Sequence, residues 1–259
     1  MNVIILAAGY GTRLQNDIIN DKTGKYSNLL DVPKPLLPIK NDQPLLSLWM
    51  EIINEVDIIN KVYIVVSIEY CEEKHDKKFQ RNTNEKFYCC SSFKINRKYE
   101  DQFRLWAKDH PNIILVVENS CSNEDRSGAV KCIQLALDSM EELTDVNVLA
   151  GDTLFMKDFS LSKAICLFKN ISGNKDISLI SYYNCSDNDV SKRGILEVDD
   201  SGHVLQFLEK PKPSVTTSRK ACPCFYLLHR NHTKLIQKFL HEKRVRAVFC
   251  SFLEESTAI

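Results

Sequence analysis

The sequence has few glycines and no surplus of charge of either sign. Only 8 of its 259 residues are glycine, against an average of about 7%, so each glycine marks an informative position. Lysine plus arginine and aspartate plus glutamate both number 34, which gives a formal net charge of zero. A protein that follows a nucleic acid backbone usually carries a basic surplus. The charge balance therefore argues against a nucleic acid partner.

Long apolar runs and paired-cysteine motifs are also missing. No apolar segment approaches the roughly 20 residues that span a bilayer, so no membrane partner is expected. Residues 3–8 are apolar, but no basic residue precedes them, and a signal peptide is not expected. The 10 cysteines are scattered without a C-x2-C pair. This distribution predicts reduced thiols in a cytoplasmic protein and argues against a disulfide scaffold or a zinc site.

Short apolar segments alternate with amphipathic ones along most of the chain. The pattern predicts strands at 3–8, 62–66, 113–117, 146–150 and 177–182, separated by helices at 45–56, 99–109, 128–140 and 160–170. Such alternation favours an α/β fold with a mainly parallel sheet. The second half differs, because segments 195–198 and 204–208 flank a D-D-S-G turn, which is a hairpin signal. A strand at 224–228 and a helix at 233–242 complete the predicted elements.

The segment LAAGYGTRL, residues 6–14, follows the first predicted strand. A glycine-rich loop in that place can direct backbone N–H groups at phosphate oxygens. Gly9 and Gly11 would let the backbone approach a ligand closely. Thr12 adds a hydroxyl, and Arg13 adds a guanidinium that suits phosphate. The dinucleotide fingerprint and the P-loop pattern both fail here, so the loop by itself is either a phosphate-binding loop or an ordinary βα turn.

Two further motifs carry isolated charged residues. In PKPLLPI, residues 33–39, two prolines stiffen an extended segment around Lys34, whose amine could reach a triphosphate. Gly151 and Asp152 follow the predicted strand at 146–150. Ligands of parallel α/β sheets bind beyond the carboxyl ends of the strands, and an aspartate there could hold Mg²⁺ beside phosphates. Each motif alone also fits a surface turn or a strand-closing aspartate.

The segment FLEKP, residues 207–211, ends the predicted hairpin. Lys210 could bind an anionic group, while Glu209 could accept hydrogen bonds from hydroxyl groups. Gly194 begins the preceding strand, where a missing side chain could admit a bulky ligand. A Glu–Lys pair alone fits a solvated surface equally well.

In their order and spacing, five segments resemble the sugar-phosphate nucleotidylyltransferases of the nucleotidyltransferase superfamily, such as glucose-1-phosphate thymidylyltransferase. The segments are LAAGYGTRL, PKPLLPI, RSGAVKCI, LAGDTLF and FLEKP. The resemblance implies a Rossmann-like three-layer sandwich with a mainly parallel sheet and a small α+β C-terminal portion. Residues 1–243 would form one nucleotidyltransferase domain, with 71–98 as a loop insertion, and 244–259 would be an atypical tail. The composition of 71–98, rich in Lys, Glu and Asn and without a clear period, also fits a surface helix.

The resemblance also implies roles for individual residues. Lys34 would contact the α-phosphate or the departing pyrophosphate, Asp152 would coordinate Mg²⁺, and Lys210 would hold the sugar phosphate. The implied sets are Ala8, Gly9, Gly11, Thr12, Arg13, Ser127 and Gly128 for the nucleotide, Gly194, Glu209 and Lys210 for the sugar phosphate, and Arg13, Lys34 and Asp152 for catalysis.

The activity implied is the joining of an NTP to a sugar 1-phosphate with release of pyrophosphate. The acceptor phosphate oxygen would attack the α-phosphorus in line, and it is already ionised, so no general base is needed. The protein must bring two polyanions together and neutralise charge on the leaving group. Arg13, Lys34, Lys210 and Mg²⁺ would meet that demand. The resemblance allows a homodimer, for which the sequence shows no motif.

The sequence departs from the family near its end. Family members usually supply a second metal-binding carboxylate late in the domain, whereas the last aspartate here is Asp200. Glu254 or Glu255 could substitute for it. Two alternatives therefore stay open beside the enzyme. One is a weak or inactive relative that binds nucleotide or sugar nucleotide and regulates a partner, and the other is an enzyme of the phosphocholine cytidylyltransferase type.

Overall fold

The computed structural model describes residues 1–67, 98–120, 127–155, 159–173, 175–242 and 257–258. The insertion expected at 71–98 lies outside these ranges apart from its last residue. The expected tail at 244–259 also lies outside them apart from residues 257 and 258, and so do both candidate carboxylates of the tail, Glu254 and Glu255.

Strands and helices alternate through the described residues. In chain order, the strands are β1 (Asn2–Leu6), β2 (Pro38–Lys40), β3 (Gln43–Pro44), β4 (Val62–Ser67), β5 (Ile113–Glu118), β6 (Val146–Ala150), β7 (Leu179–Ile180), β8 (Tyr183–Asn184), β9 (Gly194–Val198), β10 (Val204–Glu209), β11 (Lys220–Cys222), β12 (Phe225–Leu228) and β13 (Thr257–Ala258). The α-helices are α1 (Thr12–Asn20), α2 (Leu45–Asn54), α3 (Lys98–Ala107), α4 (Gly128–Asp138), α5 (Leu161–Ser172) and α6 (Arg230–Glu242).

The larger sheet has the strand order β13-β7-β12-β6-β1-β4-β5. Strand β1 is parallel to β4 and β6, and β4 is parallel to β5. Strand β12 runs antiparallel to both of its neighbours, so the sheet is mainly parallel, as predicted. The chain moves outward from β1 to β4 and β5 and then returns to the other side of β1 with β6. Ligands of open α/β sheets bind at such a reversal of strand order.

The strands of the sheet centre are buried on both faces, which is why they appear in the sequence as nearly continuous apolar runs. Successive residues of β1 belong to opposite cores, with Val3 in one and Ile4 in the other. Helices α2, α3 and α5 pack on the first face, where Trp49 is fully buried. Helices α4 and α6 pack on the second, around Ile133. The expected three-layer α/β sandwich is thus confirmed.

A smaller antiparallel sheet has the order β10-β9-β11-β8. Its β9–β10 pair is the hairpin predicted from the sequence. The segment 222–224, which is the last residue of β11 and the two residues after it, leads from this sheet to β12 of the larger one, so the two sheets are joined close to the end of β6. Among the described residues, no helix has the length and apolar character that crossing a bilayer requires.

Two expectations were wrong in detail. The strand predicted at 177–182 is shorter in the structure, because only Leu179–Ile180 pairs in the larger sheet, and the chain then enters the smaller sheet at Tyr183–Asn184. Thr12 and Arg13, predicted as part of a loop, form the first turn of α1. The sequence of α1 is mostly polar and buries only Ile18, so it gave little periodic signal.

Candidate active site

The candidate site begins where the loop after β1 enters α1. Gly11 has φ +62°, a left-handed conformation that favours glycine, and its carbonyl accepts the N–H of Gln15. Thr12 and Arg13 follow as exposed residues of the first helical turn. The first N–H groups of a helix lack partners within the helix and attract anions. This end of α1 therefore suits a phosphate group.

Lys34 lies across this loop. It begins a short 3-10 helix, Lys34–Leu36, and its Cγ lies 3.4 Å from where a Cβ on Gly11 would stand. Its Nζ lies 3.8 Å from Oδ2 of Asp152, and the two side chains are 39% and 51% exposed. The structure thus brings together two predicted catalytic residues and Gly11, and it leaves both charged groups open to solvent.

The segment that leads to Lys34 is fastened to α1 by Gln15. The side-chain oxygen Oε1 of Gln15 accepts the N–H of Asp31 at 2.8 Å, and its side-chain Nε2 donates to the backbone carbonyl of Val32 at 3.2 Å. Because one side chain holds two successive residues, the segment before Pro33 has a fixed position beside the glycine loop.

The segment after Asp152 is fastened by Trp49 of α2. This tryptophan is fully buried, and its indole N–H donates to the carbonyl of Thr153 at 2.6 Å. Its ring also meets Phe155 edge to face, with 5.8 Å between the ring centroids. The carboxylate is thus carried on a turn that is fixed from the core.

Gly151 is the point where three distant segments meet. Its N–H donates to the carbonyl of Leu6 at 2.9 Å. A Cβ on Gly151 would lie 3.1 Å from that oxygen, 3.2 Å from Cγ of Pro35 and 3.3 Å from Cβ of Ala7. The absence of a side chain before Asp152 therefore lets the ends of β1 and β6 and the Pro-Lys-Pro segment pack together.

We expect Gly151→Ala to destabilise the protein. The added methyl group must push aside the Leu6 backbone or the Pro35 ring, and overpacking of this kind costs about 1–3 kcal/mol. Urea denaturation should show that loss in the free energy of unfolding. Gly9→Ala is the matched control, because a Cβ on Gly9 would meet nothing within 4 Å. Equal unfolding free energies for the two variants would contradict the packing argument.

A cleft of about 200 Å³ opens beside the loop, between the end of β1 and the start of α4. A Cβ on Gly9 or on Gly128 would meet no atom within 4 Å, so a ligand could approach both backbones closely. The lining residues are Leu6, Ala8, Gly9, Glu118, Ser127, Gly128, Ala129 and Cys132. Ala8, Gly9, Ser127 and Gly128, which the sequence assigned to the nucleotide, thus line one cleft.

The sequence analysis missed Glu118, which lines the same cleft. Glu118 is the last residue of β5 and only 2% exposed. Its Oε1 accepts the N–H of Ser127 at 3.2 Å, and its Oε2 accepts the hydroxyl of Ser120. A signal was present, because an acidic residue that closes an apolar strand of a parallel sheet lies at the ligand-binding edge. The same reasoning had identified Asp152.

The residues predicted to hold a sugar phosphate lie together in the smaller sheet. Gly194 pairs with Glu209 in the β9–β10 ladder, and Lys210 follows with φ +49°. The Lys210 Nζ lies 3.0 Å from Oε1 of Glu209, and both side chains are exposed. The N–H of Lys210 donates to the carbonyl of Arg193 at 3.0 Å, which fixes the turn.

Residues 222–224 lead from the smaller sheet to the end of β6, which Asp152 follows. Burial raises the pKa of Cys222, and the nearby Glu209 carboxylate acts in the same direction. Burial likewise raises the pKa of Cys224 to about 12, with Cys222 and Asp152 adding to the effect. Both thiols are therefore neutral at ordinary pH. Cys222 pairs with Gly194 in the smaller sheet, and the carbonyl of Cys224 accepts the N–H of Ala150, two residues before Asp152.

The space over Gly194 is filled by the protein itself. A Cβ on Gly194 would overlap the Cζ and Cε1 atoms of Phe207 on the paired strand. The Phe207 side chain belongs to the second core. The missing side chain of Gly194 therefore has a packing role, and any role toward a sugar phosphate would fall to its backbone.

We expect Gly194→Ala to lower the free energy of unfolding by about 1–3 kcal/mol, because the methyl group and the Phe207 ring cannot share the same space. In a Phe207→Leu background, which removes the far end of the ring, the same substitution should cost less. Denaturant unfolding of the two single variants and the double variant measures this coupling. Strict additivity would contradict it.

The residues around Asp152 fit a magnesium ion that is shared with a bound polyphosphate. Within the described ranges, no three His, Cys, Asp or Glu side chains gather as a metal ion held by protein alone would require. Mg²⁺ is usually held by one or two carboxylates together with substrate phosphates and water. Asp152 supplies one such half-exposed carboxylate, next to the amine of Lys34.

Comparisons with known proteins concern the whole chain. The model of a family described as nucleotidyl transferase matches residues 2–251, whereas no curated protein matches the chain in sequence.

Several solved structures share the fold. A UDP-glucose pyrophosphorylase complexed with UDP-glucose is 18% identical, with a TM-score of 0.60, covering 92% of this chain and 79% of that one. A protein from Bacillus anthracis, described as a glucose-1-phosphate thymidylyltransferase, is 15% identical, with a TM-score of 0.66 and coverages of 100% and 85%. A UTP-bound UGPase from Acinetobacter baumannii is 19% identical, with a TM-score of 0.59 and coverages of 93% and 79%.

Proposed function

The chain belongs to the nucleotidyl transferase family, and from that premise we propose that it transfers a nucleotidyl group from an NTP to a sugar 1-phosphate. Pyrophosphate would be the second product, and Mg²⁺ would be required. The observation that carries the proposal is the meeting of Gly11, Lys34 and Asp152 at the reversal of strand order. That place lies beside the cleft and at the start of α1, where a nucleoside triphosphate has room and partners for its charge.

The nucleotide is proposed to lie along the loop and the cleft. Its base would enter between Gly9 and Gly128, where both backbones are open. Its phosphates would face the first turn of α1, to which Thr12 and Arg13 belong. Lys34, which crosses Gly11, would contact the α-phosphate or the leaving pyrophosphate.

The sugar 1-phosphate is proposed to lie over the smaller sheet. Lys210 would release its ion pair with Glu209 to bind the phosphate, and Glu209 would then accept from sugar hydroxyls. Residues 222–224 run from the strand partner of Gly194 to the end of β6, next to Asp152, which would bring the two substrates face to face. One structural relative is described as complexed with UDP-glucose, which supports a sugar nucleotide as product.

The chain contributes positioning and positive charge, and no general base is needed. The phosphate of the acceptor is the nucleophile, so the task is to align two polyanions and to neutralise charge on the leaving group. Arg13, Lys34 and Lys210 would do this from three sides. Mg²⁺, when bound at Asp152 and the phosphates, would supply further neutralisation of negative charge.

The test is pyrophosphate release by the purified full-length protein in the presence of Mg²⁺. Each common NTP is combined with a panel of sugar 1-phosphates and with phosphocholine, and product is identified by mass. We expect turnover with at least one sugar 1-phosphate. Turnover with phosphocholine alone would assign the acceptor to another class. Nucleotide binding without turnover on any pair, by protein that melts cooperatively, would overturn the proposal.

A further inference from the structure

Glu118 is a nearly buried carboxylate that lines the cleft assigned above to the nucleobase. Each of its oxygens accepts one hydrogen bond, Oε1 from the N–H of Ser127 and Oε2 from the hydroxyl of Ser120. A carboxylate has about four lone-pair sites on its two oxygens. Among the contacts of the described residues, two sites therefore remain for a ligand, and both can only accept.

The bases differ in how well they match such a partner. The Watson–Crick edge of guanine carries two adjacent donors, the ring N1–H and the 2-amino group. Uracil and thymine offer one N–H between two carbonyl oxygens, which a carboxylate repels. Cytosine and adenine offer one amino group beside a ring nitrogen that accepts. Only guanine can therefore give a carboxylate two parallel, charge-assisted hydrogen bonds, which are the strong kind.

We propose that Glu118 selects the base and that the nucleotide is a guanine nucleotide. This inference rests on the proposed function, because it assumes that the cleft receives the base of the NTP. The other lining residues are small or apolar apart from the hydroxyl of Ser127 and the thiol of Cys132. Among the described residues of the cleft, Glu118 thus carries the one charged group that can distinguish base edges.

The neighbours of Glu118 hold it in a fixed geometry. The hydroxyl of Tyr10, in the middle of the glycine loop, donates to the carbonyl of Ser120 at 2.9 Å and lies 3.2 Å from its Oγ. The Ser120 hydroxyl in turn binds Glu118. Tyr10 and Ser120 are therefore positioning residues that connect the phosphate loop to the base-selecting carboxylate.

The test is direct binding of GTP, ITP and UTP to the full-length protein with Mg²⁺, by isothermal titration calorimetry. ITP keeps the N1–H of guanine and lacks only the 2-amino group. We expect GTP to bind at least about 10-fold more tightly than UTP. It should bind about 10-fold more tightly than ITP, since one hydrogen bond to a charged group is lost.

Glu118→Gln should abolish the preference for GTP over ITP and UTP. The amide can still accept from Ser127 and donate to Ser120, so the local contacts can survive, but it faces the ligand with a donor as well as an acceptor. The GTP to UTP affinity ratio should fall at least about 10-fold. Glu141→Gln is the matched control, because Glu141 is an exposed residue that pairs with Lys61 and is not one of the described residues that line the cleft, and its GTP to UTP ratio should equal that of the wild type.

The outcomes of this test distinguish failure of the base-selection inference from failure of the proposed transferase function. If the wild-type protein binds UTP as tightly as GTP, or if Glu118→Gln keeps the wild-type ratio, Glu118 does not select the base, while the transferase function stands. If none of the three nucleotides binds, this inference fails, and the pyrophosphate-release panel, which includes the other common NTPs, decides the transferase function separately. The comparison of GTP with ITP uses wild-type protein alone. Equal affinities for these two nucleotides would therefore contradict the inference even if the Glu118→Gln protein folds poorly.

Discussion

Asp152→Asn is expected to lower the rate of pyrophosphate release by at least about 100-fold, the usual scale for losing one preorganised electrostatic partner of a transition state. Asparagine keeps the shape of the side chain and an oxygen, but it removes the charge that makes a carboxylate a good ligand for Mg²⁺. Steady-state rates at saturating substrates, and at a Mg²⁺ concentration that saturates the wild-type protein, measure the effect. Higher Mg²⁺ should recover part of the loss, because the site is weakened and the rest of the machinery is intact.

The loss should not come from unfolding. The Asp152 and Lys34 side chains are 51% and 39% exposed and 3.8 Å apart, and an ion pair of this kind contributes about 0–1 kcal/mol. The thermal midpoint of Asp152→Asn should therefore stay close to that of the wild type. Asp57→Asn, at an exposed turn after α2, is a matched control with full activity expected. An Asp152→Asn protein with more than a third of wild-type activity would rule out Asp152 as the metal ligand.

The central strands of the sheet could be predicted because burial on both faces requires a nearly continuous run of apolar residues. Strand β6 was predicted with its observed bounds, and β1 and β4 within two residues at either end. The short strands β7, β8 and β11 carry two or three residues each, so their bounds depend on which neighbour they pair with. That information belongs to the tertiary structure and leaves no periodic pattern in a short segment.

The sequence predicted which residues belong to the site and which segments carry them. It did not predict which of these residues contact one another. Position after a strand identified Asp152, and flanking prolines identified Lys34, but more than a hundred residues separate them in the chain. Only the packing of Gly151 against Leu6 and Pro35 brings them within 3.8 Å. Such an approach follows from strand order and close packing, which single motifs do not encode.

Gly194 illustrates the opposite error. A glycine near a charged motif suggested room for a ligand, yet the ring of Phe207 occupies that room. The sequence contains both residues, but their proximity follows from the register of the β9–β10 ladder, in which Phe207 pairs with Leu196 and Glu209 with Gly194. A glycine shows that a side chain is excluded, and only the register shows what excludes it.

Lys34→Met is expected to lower kcat/KM for the NTP by about 100-fold or more. Methionine keeps an unbranched side chain, so the packing over Gly11 should survive, and the thermal midpoint should stay near that of the wild type. Only the charge is lost. A fall in kcat would indicate contact with the leaving pyrophosphate in the transition state, whereas a rise in KM alone would indicate binding of the ground state.

The double variant Lys34→Met/Asp152→Asn tests whether the two residues act on one polyphosphate. If the metal at Asp152 and the amine of Lys34 neutralise the same group, removing the second partner from an already defective site should cost less than removing it from the intact one. We therefore expect the double variant to retain clearly more activity than the product of the two single losses predicts. Independent losses that multiply would place the two charges on different groups, with Lys34 acting away from the phosphate that Asp152 and its metal hold.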